Sequence, residues 1–225
     1  MSKNTFIEMP LEIKNRIFEQ LLLFELPIDM VMRWGKPIGY GSNATMSSEL
    51  SFPVLSLNKQ INLEASTFLY QRNEFKFATD CNTYTITPFL RNIGEQNAGF
   101  IHRICITYPA FECNEYSGFD ESYGIALPIG GSSAGTVKVD DMSAQAFRVI
   151  AWRCPNLKFL TMTRSGTRES RHRGSSQLDI KAVLAVNEHL KHFPKETKIV
   201  VDVQLGPEDS QVKRTMRSCG WMIKS

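Results

Sequence analysis

The chain has 225 residues, of which 42% are hydrophobic, and a formal net charge of +3 at pH 7. This length and apolar content suffice for a full buried core, arranged as one large domain or as two tightly packed pieces. The charge is too small for a chain of this length to indicate nucleic acid or a membrane surface as a partner. We therefore expect neither, and look for partners in local features of the sequence.

The cysteines and the amino-terminal residues bear on the cellular compartment. The five cysteines are widely spaced and include no CxxC pair, so they predict neither a disulfide framework nor a zinc site. Lys3, Glu8 and Glu12 interrupt the apolar run that a signal peptide requires. No later run approaches the roughly 20 apolar residues of a membrane span. We expect a reduced intracellular protein, cytoplasmic or nuclear, without a membrane partner.

An amphipathic helix is predicted near the amino end. Pro10 is placed as its first helical residue, because proline fixes φ near the helical value and lacks the N–H that the first turn leaves unpaired. Phe6 lies just upstream, where it can fold back onto the helix. The apolar residues that recur on one stripe are Ile13, Ile17, Leu21 and Phe24. The stripe is expected either in the protein's own core or against a partner.

A second helix is predicted from 57 to about 71, with Ser56 as its N-cap. The intervening residues 25–53 are rich in Gly and Pro and predict a loop with one or two short strands. Glu64 lies in the middle of the apolar face of the second helix, where a carboxylate is unstable unless it is paired. We predict a structural ion pair with a cation such as Arg16 or Arg72.

Strands and helices alternate in the rest of the chain. Strands are predicted at 74–78, 103–108, 154–162 and 198–205. Helices are predicted at 84–95 with Gly94 as the stop, at 143–153 with Ser143 as the cap, at 178–193 and at 208–219. Such alternation favours parallel strand pairing with helices over at least one face of the sheet. The predicted fold class is therefore mixed α/β.

Three segments in order resemble a known family. They are FIEMPLEIKNRIF at residues 6–18, LSLNKQINLEA at 55–65 and FLYQRNEFKF at 68–77. These segments and their order resemble the F-box-like domain family of filamentous fungi. The consensus motifs of that family are LPxEIRxxI, then CRQIRxEA, then FYxxNxFxF. The similarity covers residues 6–108. Further along, the helix before CPNLKFLTM at 154–162, together with that segment, resembles one unit of a leucine-rich repeat.

These resemblances imply an architecture and a partner. Residues 1–73 would form an F-box-like helical region with an insertion at 25–53, packed as one unit on a strand–helix region at 74–225 with an irregular, leucine-rich-repeat-like parallel sheet. The family role implies a protein-interaction adaptor that docks on the Skp-type subunit of a cullin-type ubiquitin ligase and recruits an unknown protein target. The docking residues implied by the motif are Phe6, Met9, Pro10, Ile13, Ile17, Leu55 and Leu57.

Two long insertions, 109–141 and 164–176, both follow predicted strands, so in a parallel sheet they should leave from the same edge. The first is mainly acidic with interleaved aromatic residues, and the second is rich in arginine. Aromatic and arginine side chains are frequent energetic anchors of protein interfaces. We expect either a target-recognition surface or solvated insertions that neutralise each other. The candidate recognition residues are Phe111, Tyr116, Phe119, Tyr123, Arg164, Arg168, Arg171 and Arg173.

Residues with catalytic or metal-binding chemistry do not gather at a recognisable spacing. Glu188, His189 and His192 offer i, i+3 spacing but lack a third ligand, and the glycine-rich stretches lack the fingerprints of nucleotide-binding loops. We therefore predict no enzyme, cofactor or metal. Two alternatives to the adaptor remain: a stand-alone interaction or scaffold protein in which the motif is only structural, and a nucleic-acid binder that uses the arginines between 164 and 173.

Overall fold

The computed structural model describes residues 6–33, 36–40, 55, 58–77, 82–109, 111–113, 137–163, 176–202 and 209–224. Within these ranges lie six helices and nine strands. The helices are α1 (Leu11–Leu22), α2 (Lys59–Arg72), α3 (Asn82–Phe100), α4 (Asp141–Arg153), α5 (Ser176–Leu190) and α6 (Ser210–Ser218). The strands are β1 (Ile28–Arg33), β2 (Lys36–Tyr40), β3 (Glu74–Phe77), β4 (Arg103–Thr107), β5 (Phe111–Cys113), β6 (Val137–Val139), β7 (Phe159–Thr163), β8 (Lys198–Asp202) and β9 (Met222–Ile223).

Seven strands form the main sheet in the order β2-β1-β3-β4-β7-β8-β9. Every neighbouring pair from β1 to β9 is parallel, and β2 adds to the edge in the antiparallel sense. Strands β5 and β6 form a separate antiparallel ribbon. The prediction of a mixed α/β fold with a mainly parallel sheet is therefore confirmed. Because β1 pairs with β3, the sheet continues across the domain boundary that we placed at residue 73.

The core lies between one face of the sheet and a layer of helices in which α1 contacts α2 and each helix contacts the next in chain order. Phe89 of α3 shows how the layers meet. Its ring centroid lies 5.5 Å from that of Phe75 and 5.4 Å from that of Phe77, both on β3. Burial of such side chains contributes roughly 1.5–3 kcal/mol each. None of the helices described is long and apolar enough to cross a membrane.

The helix starts differ from the predicted ones. Pro10 has extended backbone angles, φ −53° and ψ 146°, so it is the N-cap and not the first helical residue of α1. Helix α2 begins at Lys59, because the Asn58 side chain accepts a hydrogen bond from the Ile61 N–H at 2.9 Å. Our N-cap assignment to Ser56, which lies outside the described residues, is therefore wrong.

The N-cap of helix α4 is Asp140, three residues before the predicted Ser143. The Asp140 carboxylate accepts hydrogen bonds from the Met142 and Ser143 N–H groups at 3.0 and 3.1 Å. A carboxylate at this end also interacts favourably with the helix dipole. The strand predicted from 154 begins only at Phe159, since Cys154 is buried at the end of α4 and Leu157 bonds back to it.

Gly94 interrupts α3 but does not end it. Its φ of 80° lies in the left-handed region, which glycine adopts without the steric strain that a Cβ introduces. The chain then resumes helical structure as far as Phe100. The predicted stop is thus a kink, and the second segment carries α3 toward the start of β4.

Candidate interaction surface at the amino-terminal helices

Helix α1 packs on α2 through a stripe that differs from the predicted one. Its buried residues are Lys14, Phe18 and Leu22, one position along from Ile13, Ile17 and Leu21. The Phe18 ring lies 6.1 Å from Phe6 and 5.9 Å from Phe68 on α2, centroid to centroid. Phe6 folds back onto α1, as predicted. Of the predicted apolar stripe, Leu21 and Phe24 pack against the core, whereas Ile13 is exposed. The helix is rotated so that its aromatic side chain enters the core.

Lys14 can occupy the first position of the buried stripe because its ammonium group forms an ion pair with Glu64. Its Nζ lies 3.0 Å from Glu64 Oε2 and 3.3 Å from Oε1, and only 6% of the lysine side chain is exposed. Gln60 Nε2 donates to the same carboxylate at 3.0 Å. The Gln60 hydrogen bond and, secondarily, Lys14 lower the pKa of Glu64 against the opposing effect of burial.

The predicted structural pairing of Glu64 is therefore correct, but the predicted cations are wrong. Arg72 lies over the Phe68 ring, with its guanidinium carbon 5.9 Å from the centroid. Arg16 is exposed on α1, away from the buried stripe. Lys14 was overlooked because it stood outside the apolar pattern, although its long hydrocarbon stem can line a core while its ammonium meets a carboxylate.

Asn73 joins the ends of the two helices. Its side chain is buried and donates to the carbonyl oxygens of Leu22 at 2.7 Å and Leu69 at 2.9 Å, and it accepts from the Phe24 N–H at 2.8 Å. One side-chain amide thus bonds three backbone groups at the helix ends, of which the Leu69 carbonyl also accepts the Asn73 N–H. Asn73 belongs to the third motif segment, but the pattern alone assigned it no role.

The outer side of α1 carries exposed apolar residues. Leu11 is 57% exposed and Ile13 is 42% exposed, and Pro10 beside them is exposed as well. Met9 and Ile17 are half-buried. Single exposed apolar residues are common, but several together at the start of one helix form a candidate contact surface. We call Met9, Pro10, Leu11, Ile13 and Ile17 the α1 surface.

The remaining docking residues predicted from the motif lie elsewhere. Phe6 and Leu55 are half-buried and pack against the core, and Leu57 lies outside the described residues. Leu55 also lines a cleft of about 530 Å³ between the start of α2 and the second segment of α3. Its carbonyl accepts a hydrogen bond from Asn62 Nδ2. The other residues that line the cleft are Asn58, Lys59, Asn62, Leu63, Gln96 and Asn97.

The strands that precede the two predicted recognition loops end side by side. Thr107 of β4 pairs with Thr163 of β7, and the Tyr108 N–H donates to the Thr163 carbonyl at 2.6 Å. Phe111 opens the β5–β6 ribbon and is half-buried, with its ring centroid 6.0 Å from that of Tyr108. The other predicted loop residues lie outside the described residues: Tyr116, Phe119, Tyr123, Arg164, Arg168, Arg171 and Arg173.

Groups with reactive chemistry are engaged in packing. The His189 ring stacks on Phe147 at a centroid distance of 6.0 Å, and its pKa is lowered first by burial and then by Arg148 and His192. Burial raises the pKa of Cys154 to about 12, which suppresses its thiolate. The described part of the chain contains no group of three His, Cys, Asp or Glu residues that could hold a metal ion.

Comparison with known proteins adds no relative. The chain matches no protein-family model, and no curated protein or solved structure is significantly similar to it. The role of the α1 surface therefore rests on its own residues and contacts.

Proposed function

We propose that this chain is an F-box-like protein-interaction adaptor whose α1 surface docks on the Skp-type subunit of a cullin-type ubiquitin ligase. The observation that carries the proposal is the exposure of Leu11 and Ile13 beside Pro10, within the segment that resembles the family motif. An apolar group that stays exposed on a helix otherwise well packed on the core is available to a partner.

The packing beneath the α1 surface supports this role. Although residues 25–53 separate the motif segments in sequence, α1 and α2 are in contact and are fixed by the Lys14–Glu64 ion pair and by Asn73. A surface held in place before binding loses little conformational freedom on association. The two helices thus present a preorganised site.

The second half of the proposal concerns the target. We propose that the strand–helix region from residue 74 onward is a leucine-rich-repeat-like platform that holds a protein target. From β3 to β9 each strand of the sheet lies beside the sheet strand that precedes it in the chain. The helices form a layer on one face. On the opposite face Arg103 and Lys198 are exposed, whereas the row of Cys105, Thr161 and Val200 is buried, so the candidate surface is the edge at the amino ends of the strands.

A stand-alone interaction or scaffold protein is the alternative, and it too has an observation in its favour. Phe18 and Leu22 are fully buried, and Phe6 packs against Phe18. Part of the motif segment therefore serves the protein's own core. In that alternative the exposed residues of the α1 surface bind no ligase subunit.

Co-purification distinguishes the two functions. The tagged chain is expressed with the Skp-type subunit from its own cells, as wild type and as a Leu11→Asp/Ile13→Asp variant. A matched control is Leu184→Asp, which places the same charge at a residue 49% exposed on α5. We expect the wild type and the control to retain the subunit and the α1 variant to lose it. If the intact wild type never retains the subunit where an authentic F-box protein does, the ligase role is excluded.

A further inference from the structure

The strand register places one row of charged and aromatic residues across the sheet face opposite the helices. Phe75, Ile104 and Leu160 lie side by side on neighbouring strands and form one buried row. Phe75 of this row packs on α3, so the row faces the helices. Because successive residues of a strand point to opposite faces, the preceding row faces away from the helices. That row is Glu74, Arg103, Phe159 and Lys198, at the amino ends of β3, β4, β7 and β8.

Two cations of this row converge on one aromatic ring. The Arg103 guanidinium carbon lies 5.6 Å from the Phe159 ring centroid, and the Lys198 Nζ lies 5.7 Å from it. They come from the strands on either side of β7. Both side chains are exposed, while Phe159 is half-buried. The ring contacts hold the two cations in place without neutralising them.

The charges of this row are not balanced by the described acids around it. Within the described ranges, Arg103 and Lys198 form no ion pair, and this includes Glu74 in the same row. Lys158, directly before β7, adds a further exposed cation. Burial lowers the pKa of His102 at this edge, and Lys158, Arg103 and Arg72 lower it further because they disfavour another positive charge beside them. An anionic partner would therefore meet ordered, unpaired cations.

We propose that the row Arg103–Phe159–Lys198 binds an acidic segment of a target protein. This inference rests on the proposed adaptor function, for which it names the class of target. Strands β4 and β8 are two strand spacings apart, or roughly 10 Å. An extended segment in a polyproline-type conformation repeats every third residue at about 9 Å, so acidic side chains at this period reach both cations while the chain passes over Phe159.

Fluorescence anisotropy tests the proposal on the purified full chain without any ligase subunit, so that failure here is distinct from failure of the α1 surface to dock. The probe is a fluorescein-labelled peptide with Glu at every third position, and its control carries Gln instead. The variant is Arg103→Gln/Lys198→Gln. Its matched control, Arg214→Gln/Arg217→Gln, removes the same charge from exposed positions on α6.

We expect the wild type to bind the Glu peptide, more weakly as salt is raised, and to ignore the Gln peptide. The Arg103/Lys198 variant should lose at least about tenfold in affinity, the factor expected for one lost charge-assisted contact, while the α6 variant keeps wild-type affinity. Equal losses in both variants would overturn the proposal, because they would show only nonspecific attraction. The wild type could instead bind single-stranded DNA more tightly than the Glu peptide, with the DNA affinity lost in the Arg103/Lys198 variant. That result would overturn the proposal, because the row would then be a nucleic-acid site.

Discussion

Lys14 and Glu64 join the first two helices across 50 positions of sequence, with the lysine Nζ 3.0 Å from the glutamate Oε2. The pair allows a lysine to stand on the buried side of α1, in line with Phe18 and Leu22. Together with the packing of Phe18 on Phe68, the pair fixes the rotation of α1, which leaves the Ile13 side chain exposed. The exposure on which the proposed docking depends follows from this rotation.

The contribution of Glu64 to stability should depend on pH. Its pKa is lowered from the usual 4.5, mainly by the Gln60 hydrogen bond and further by Lys14. A carboxyl whose pKa is lowered on folding stabilises the folded state above its unfolded pKa, and this stabilisation is lost as pH falls through the folded value. The Glu64→Gln variant should therefore be less stable than the wild type at neutral pH, by about 1–2 kcal/mol, and the difference should shrink in acid.

Urea denaturation across the acidic range measures this difference. Glu19→Gln, at an exposed position on α1, is the matched control and should show no comparable pH dependence. A Glu64→Gln difference that stays constant from neutral pH to below the carboxyl range would contradict the assigned ion pair.

The rotation of α1 predicts opposite outcomes for two large apolar residues. Phe18 is fully buried, so Phe18→Ala should cost about 3–5 kcal/mol of the free energy of unfolding. Ile13 is exposed, so Ile13→Ala should change that free energy by no more than about 0.5 kcal/mol. Chemical denaturation of the two variants compares them directly. A larger loss of stability for Ile13→Ala than for Phe18→Ala would show that the stripe containing Ile13 faces the core.

Asn73 should be sensitive to a change that preserves its shape. Asn73→Asp keeps an acceptor for the Phe24 N–H but removes the donors to the Leu22 and Leu69 carbonyls. We expect destabilisation of about 1–3 kcal/mol, because the Leu22 carbonyl loses its side-chain donor while the Leu69 carbonyl keeps the backbone N–H of residue 73 at 3.3 Å. Thermal denaturation measures the loss, and Asn92→Asp, at an exposed position on α3, should be nearly neutral. Equal stability of both variants would argue against the junction role of Asn73.

Two glycines of α3 should respond in opposite directions to alanine. Gly94 has φ 80° and open space around its Cα, so Gly94→Ala meets only the strain of the left-handed backbone, about 1–2 kcal/mol. Gly99 has no such angle and equally open space, so Gly99→Ala should stabilise the chain by about 0.5–1 kcal/mol. Melting temperatures compare the variants. A stabilising Gly94→Ala would show that α3 is not kinked there.

The strands were predictable because their patterns are local. Phe75 and Phe77 alternate on β3, Ile104 and Ile106 alternate on β4, and each run is short and bounded. The very short β9, at 222–223, and the β5–β6 ribbon were missed because two or three residues carry no period of their own. The observed helix starts differ from the predicted ones because several neighbouring polar residues can act as N-caps. Sequence alone does not show which of them does.

The register of α1 could not be derived from its own residues. Ile13 and Ile17 form one apolar stripe, and Phe18 and Leu22 form another about 100° around the helix, so periodicity permits either to face the core. The choice depends on Glu64 and Phe68 from α2, which are distant in sequence. Leu11 was absent from the predicted docking residues because it stands at a variable position of the family motif, although it is more exposed than Ile13.

Calorimetric titration of the purified Skp-type subunit into the purified chain tests the proposed docking most directly. We predict saturable binding by the wild type and by Leu184→Asp, and loss of the binding signal for Leu11→Asp/Ile13→Asp while its melting temperature stays unchanged. Unaltered binding by the Leu11→Asp/Ile13→Asp variant, or no heat of binding with a correctly folded wild type, would contradict docking through the α1 surface.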